Sequence, residues 1–209
     1  MVARLRLCVG FLLASGIVDA CVSSVGLSAG AVVGGGVAGG VVSLTEPAPA
    51  GGFTVELSSS NPNAQVNAHA IVAAGETSAA FRVSTLPVTH STSATISASG
   101  GGCSAIAGVS VHPAVLAGLS LAASASHGNA AVMATAILTG PAPSGGAVVT
   151  LQSTSDAVSV PERITIPAGQ SSTTFTLTTG LSLTSSSVAI IASYGGSVQS
   201  ALLSVSPGI

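Results

Sequence analysis

Lysine and tryptophan are missing altogether from this 209-residue sequence, Tyr194 is its single tyrosine, and charged residues make up only 5% of it. Four arginines and a net charge of −2 leave no basic patch to neutralise phosphates, which excludes a nucleic-acid binder. Six carboxylates in the whole chain are too few and too far apart for the converging acidic loop that calcium needs. Long apolar runs are missing too: the twelve-residue stretch "LCVGFLLASGIV" at residues 7 to 18 is shorter than the roughly 20 residues of a membrane-spanning helix. What fills the chain instead is Val, Ile, Ala, Ser and Thr, punctuated by 26 Gly and 10 Pro. That mixture suits short strands joined by turns and is poor helix material, so the expected class is all-β.

The apolar run follows "MVARLR" and precedes "DAC". A basic start, a short apolar stretch and the small Ala20 form the layout of a signal peptide over residues 1 to 20, which implies an exported protein. "VDAC" is also similar to the bacterial lipobox, in which the cysteine is lipidated, although Asp19 is unusual at its place.

The remainder is written twice. "EPAPAGGFTVELSS" at 46 to 59 returns as "GPAPSGGAVVTLQS" at 140 to 153. A shift of 94 positions also aligns Gly75 with Gly169, Phe81 with Phe175, Ile96 with Ile190 and Pro113 with Pro207. Two copies of one domain follow, over 25 to 113 and 118 to 207. Apolar residues within each copy alternate with polar ones, as in "TFTLTT", where Phe175 and Leu177 fall between threonines; this is the period of a half-buried strand. The spacing of such runs predicts about seven strands per copy.

The repeated phrases themselves read as strand connections. Pro47 and Pro141 lack the N–H that a sheet ladder needs, and the pairs Gly51–Gly52 and Gly145–Gly146 can take positive φ and turn the chain. Gly75 and Gly169 mark a second shared turn. The succession of a "PAPxGG" turn, a "xVxL" strand, an "AGxxSxxF" turn and strand, and a closing "YGG" hairpin resembles the tandem bacterial Ig-like (Big-type) domains of cell-surface and secreted proteins. The resemblance covers the chain from about residue 25 onward, and repeat 1 departs from it with Gly100 where repeat 2 has Tyr194. It implies two tandem β-sandwiches without the paired core cysteines and Trp of antibody domains. It further implies a non-enzymatic surface or secreted module, acting as spacer or adhesive, whose partner is a protein or glycan at the cell surface. Rival readings are a carbohydrate-binding module, a fragment of a longer Ig-repeat surface protein, and a phage virion decoration domain.

A catalytic or metal site shared by both copies should keep its ionisable residues under the shift, and none is kept: Glu46 meets Gly140, Glu56 meets Thr150, Glu76 meets Gln170, and His90 meets Thr184. His69, His90, His112 and His127 lack any metal-ligand spacing, and no nucleophile elbow occurs. No catalytic residue, metal ligand or cofactor site is expected. Phe53 and Tyr194 are the two aromatics left to stack on a sugar, and packing is the better account of each. In the Ig-like topology the resemblance implies, Cys21 and Cys103 lie near each other at the pole where the chain begins. Either they form a disulfide, or Cys21 carries a lipid and Cys103 stays free; the membrane is reached only in the second case. The same topology turns the "PAPSGG" loop of repeat 2 toward the joint and leaves residues near 124 to 129, 154 to 157 and 180 to 187 at its free pole.

Overall fold

The computed structural model describes residues 19 to 207, so the segment read as a signal peptide lies outside the described residues except for Asp19 and Ala20. Every regular element among them is a β-strand. Repeat 1 runs β1 (Val22–Leu27), β2 (Ala31–Val33), β3 (Val37–Leu44), β4 (Phe53–Ser59), β5 (Ala64–Val66), β6 (His69–Val72), β7 (Ser78–Thr85), β8 (Thr92–Gly100) and β9 (Cys103–His112). Repeat 2 follows with β10 (Leu116–Leu121), β11 (Ala125–His127), β12 (Ala131–Leu138), β13 (Ala147–Ser153), β14 (Val158–Ser159), β15 (Arg163–Ile166), β16 (Ser172–Thr179), β17 (Ser186–Tyr194) and β18 (Ser197–Ser206).

Each repeat is a sandwich of a four-stranded and a five-stranded sheet. In repeat 1 the orders are β1-β3-β7-β5 and β2-β9-β8-β4-β6; in repeat 2 they are β10-β12-β16-β14 and β11-β18-β17-β13-β15. These are tandem Ig-like sandwiches. The strand count is nine rather than seven because the first strand of each copy changes sheets midway, and the stretch after β4 or β13 gives one short strand to each sheet. The switch is visible in the pairing: β1 is antiparallel to β3, whereas β2 lies parallel to β9.

Burial follows the alternation. Phe175 and Leu177 of β16 face the core while Thr174, Thr176 and Thr178 face water. Two separate apolar clusters result, one around Val42, Val55, Val83, Ile96 and Val111, the other around Leu116, Ile166, Leu177, Ile190 and Leu203. At roughly 1.5–3 kcal/mol for each fully buried side chain, these clusters hold the sheets together. At four equivalent buried positions repeat 1 has the smaller side chain: Val22, Val72, Val83 and Val109 stand where repeat 2 has Leu116, Ile166, Leu177 and Leu203.

The twice-written phrase has a physical cause. Ala48, between its two prolines, is buried; its N–H donates to the Glu76 carbonyl (2.8 Å) and its carbonyl accepts the Gly75 N–H (2.9 Å). Ala142 makes the same two bonds with Gln170 and Gly169 (2.8 and 2.9 Å). The two repeated turns are therefore hydrogen-bonded to each other, and the flanking prolines bring no further N–H that would need a partner. Within each glycine pair only the second takes the left-handed conformation, Gly52 and Gly146 both at φ 78°.

Candidate functional site

Two ends of the sandwiches carry the features that bear on function: the pole where repeat 1 begins, and the pole of each repeat opposite its starting end.

At the starting pole the chain enters β1 beside the β8–β9 hairpin. Gly101 approaches so closely that a Cβ there would lie 2.9 Å from the Cα of Cys21. A disulfide joins Cys21 to Cys103 across a Cα–Cα distance of 5.5 Å and a sequence separation of 82. The equivalent place in repeat 2 has Val115 and Ser197, and the Ser197 hydroxyl donates instead to the Leu116 carbonyl at 2.8 Å. One copy closes this corner with a covalent bond, the other with a hydrogen bond.

At the opposite pole of both repeats a threonine ends the inward row of the strand that also carries the core phenylalanine. Thr85 and Thr179 are the two buried polar residues among those described. The Thr85 Oγ1 donates to the Gly36 carbonyl at 2.8 Å. The Thr179 Oγ1 donates to the His127 carbonyl at 2.8 Å and accepts the Ala130 N–H at 2.9 Å. Each threonine thereby pins the turn that carries the chain from one sheet back to the other. The sequence held the signal: Thr85 aligns with Thr179 and continues the inward register of Phe81–Val83 and Phe175–Leu177.

The pinned turn of repeat 1 is the floor of the joint. A Cβ on Gly35 would lie 2.9 Å from the Cδ of Pro141, and one on Gly140 would lie 2.7 Å from the Cγ1 of Val33. Val33 packs against the core of repeat 2. Pro143 and Ser144 complete a shallow cleft with Asn63, Pro87 and His90. The "PAPSGG" loop therefore seats on the far end of repeat 1, and glycine at 35 and 140 is what allows the backbones to approach.

The equivalent pole of repeat 2 differs in kind. Residues 125 to 127 are not loop there but strand β11, because three residues pair parallel with Ser204–Ser206 of β18. The turn at 154 to 157 and the segment after Gly180 meet beside it, with the Gly180 N–H donating to the Ala157 carbonyl and its own carbonyl accepting the Asn129 N–H. Leu181 and Leu183 project from this segment, 83% and 95% exposed, in positions where repeat 1 has Pro87 and Thr89. Asn129 holds a φ of 61° where repeat 1 has Gly35.

The ionisable residues are not brought together. No group of three His, Cys, Asp or Glu side chains that could hold a metal exists among the described residues. His90, His112 and His127 each place Nδ1 2.9 Å from a hydroxyl, those of Thr89, Ser91 and Ser206 respectively. His69 faces Glu56 across the β4–β6 ladder, on the outside of the sheet. Phe53 packs on the core of repeat 1 above Gly100, where a Cβ would lie 2.7 Å from its ring. Tyr194, at the position equivalent to Gly100, packs on the core of repeat 2, where Ala147 stands at the position equivalent to Phe53. The two aromatics are thus alternative fillings of one corner, which explains why Gly100 and Tyr194 break the repeat.

No protein-family model matches the chain, and no curated protein matches it. Among solved structures it is similar to the Yersinia pseudotuberculosis adhesin InvE, at 13% identity and a TM-score of 0.36, over 89% of this chain and 58% of that one. It is also similar to a multi-domain fragment of titin (13% identity, TM-score 0.45, 87% of this chain and 63% of that one). A third is a tetra-tandem repeat from the extending region of a large adhesion protein (19% identity, TM-score 0.41, 88% and 48%). The chain spans just under three fifths of the InvE structure and about half of the adhesion-protein repeat. At these identities the likeness concerns the fold alone.

Proposed function

We propose that this chain is a non-enzymatic, exported Ig-like module that acts at the cell surface as a spacer with an adhesive end. In this reading residues 1 to 20 are removed as a signal peptide, and the two copies read from the sequence at 25 to 113 and 118 to 207 each take in the residues that open their first strand, from Val22 in β1 and from Leu116 in β10. Cys21 is oxidised to Cys103 rather than lipidated, since one sulfur cannot carry both bonds.

The observation that carries the proposal is the contrast between the two equivalent poles. That of repeat 1 is covered by the proline turn of repeat 2, which sets the two sandwiches end to end. That of repeat 2 cannot take a third copy in the same pose, because the Asn129 Cβ stands where Gly35 leaves room for Pro141. In place of a joint it presents Leu181 and Leu183, with no charged residue from 180 to 187 and Asp156 alone on the adjoining turn. Exposed leucines on a loop tip fit an apolar patch on a partner protein or the apolar face of a glycan.

The test has two arms. Fractionation of the producing cells with mass determination of the N-terminus should find mature protein beginning near Cys21 outside the cytoplasm; full-length cytoplasmic protein refutes export. Binding of the purified chain to the producer's surface should fall at least tenfold in a Leu181→Ser/Leu183→Ser variant that melts like the parent. Unchanged binding refutes the adhesive pole.

A further inference from the structure

The position of the disulfide decides how tension passes through the molecule. Cys21 stands where the chain enters repeat 1, and Cys103 is the first residue of β9. That strand runs the full length of the sandwich to His112, whose carbonyl accepts the Gly34 N–H at the joint with repeat 2. A pull applied at the two ends therefore crosses repeat 1 through one S–S bond and one strand. The 10 residues of β9 are already extended, at about 3.3 Å each against a limit of about 3.6 Å. The pull also acts on both ends of the same strand, so it does not shear β9 against β8 or β2. Everything between Cys21 and Cys103 is out of the load.

Repeat 2 has the same strands and no such bypass. Val115 and Ser197 cannot be cross-linked, and the Ser197 hydroxyl bond to Leu116 is of a kind that yields as the repeat opens. Its load path is the whole chain from Leu116 to Ser206.

We propose that repeat 1 is an inextensible strut and repeat 2 an extensible element in series with it, so that under tension the chain lengthens only at its second sandwich. This rests on the reading of the chain as a load-bearing surface spacer for its use, but not for its test. With an outer anchor on the repeat 2 side, repeat 1 and whatever it is joined to keep their spacing while repeat 2 absorbs the extension.

The experiment is single-molecule force spectroscopy on the full chain placed between identical handle domains of known length increment. In oxidised protein, with the disulfide verified by mass, one increment is expected beyond those of the handles: about 90 residues at roughly 3.5 Å, less the folded span, or about 280 Å. After reduction with a trialkylphosphine, a second increment of about the same size should appear. In that step the phosphine becomes its oxide, taking the oxygen of one water, and the two hydrogens end on the sulfurs. The Cys21→Ser/Cys103→Ser variant should match the reduced protein. To cover a form that does not refold, total contour length between handles is read as well; 82 residues released from the loop add about 290 Å whether or not repeat 1 is folded. Two increments in oxidised protein, equal total lengths before and after reduction, or no disulfide by mass would each overturn the proposal. Cell location does not enter, so a failure here is distinct from a failure of the spacer reading.

Discussion

Gly145 and Gly146 are adjacent and chemically identical, yet alanine should affect them oppositely. Gly145 has ordinary backbone geometry and nothing within 4 Å of where a methyl would stand, whereas Gly146 has φ 78° and would bring its methyl 2.8 Å from the Ile166 carbonyl. At Gly145 alanine restricts only the unfolded chain, which stabilises by about 0.4–1 kcal/mol. At Gly146 an L-residue in the left-handed region costs roughly 1–2 kcal/mol. The carbonyl must also shift, weakening the β13–β15 ladder whose first pair is Ala147 with Ile166. A total of about 2–3 kcal/mol is expected once that shift is added to the backbone cost. For a domain of this size each kcal/mol moves the midpoint by about 4–8 °C, so Gly146→Ala should lower the repeat 2 transition by about 10–20 °C while Gly145→Ala raises it slightly. Differential scanning calorimetry of the full chain reads both, with the repeat 1 transition as internal reference. Equal effects of the two substitutions would refute the reasoning, as would a fall of the repeat 1 transition alone.

Two further outcomes follow from the same contacts. Thr179→Val keeps the shape but leaves the Ala130 N–H without its hydroxyl acceptor and the His127 carbonyl with the Ser126 hydroxyl alone. That should cost about 1–3 kcal/mol, read as a lower urea midpoint for repeat 2, and a neutral result would show that the pin does not hold the turn. Replacing His69, His90, His112, His127, Glu46, Glu56 and Glu76 together with Gln should change stability by no more than about 0.5 kcal/mol per site and leave surface binding intact. Loss of binding in a variant that melts like the parent would reveal a chemical site among those residues.

Much of the architecture was legible in the sequence because a duplication within one chain acts as its own control. Phe81 with Phe175 and Ile96 with Ile190 kept type and register, which fixes their faces, while Glu46 and His90 did not keep theirs. The threonine pins were legible in principle, since Thr85 and Thr179 sit in the inward register, but a hydroxyl among many serines and threonines gives no sign of burial. The split of the first strand between sheets was not legible, because Ala31–Val33 reads as an ordinary β run and only its pairing with Ser110–His112 shows which sheet it joins.

The sequence by itself determined that the chain is all-β, that it holds two copies of one frame, and that the repeated phrases are turns, because periodicity, duplication and the backbone limits of Pro and Gly act locally. Only the tertiary structure decided which glycine of each pair needs positive φ, that Gly35 must lack a Cβ so that Pro141 can seat, and that Phe53 and Tyr194 fill one corner from opposite strands. It also decided that Cys103 heads the one strand leading straight to the joint. These depend on which atoms meet across long stretches of intervening chain, and such distances are set by the packed sheets rather than by any local preference.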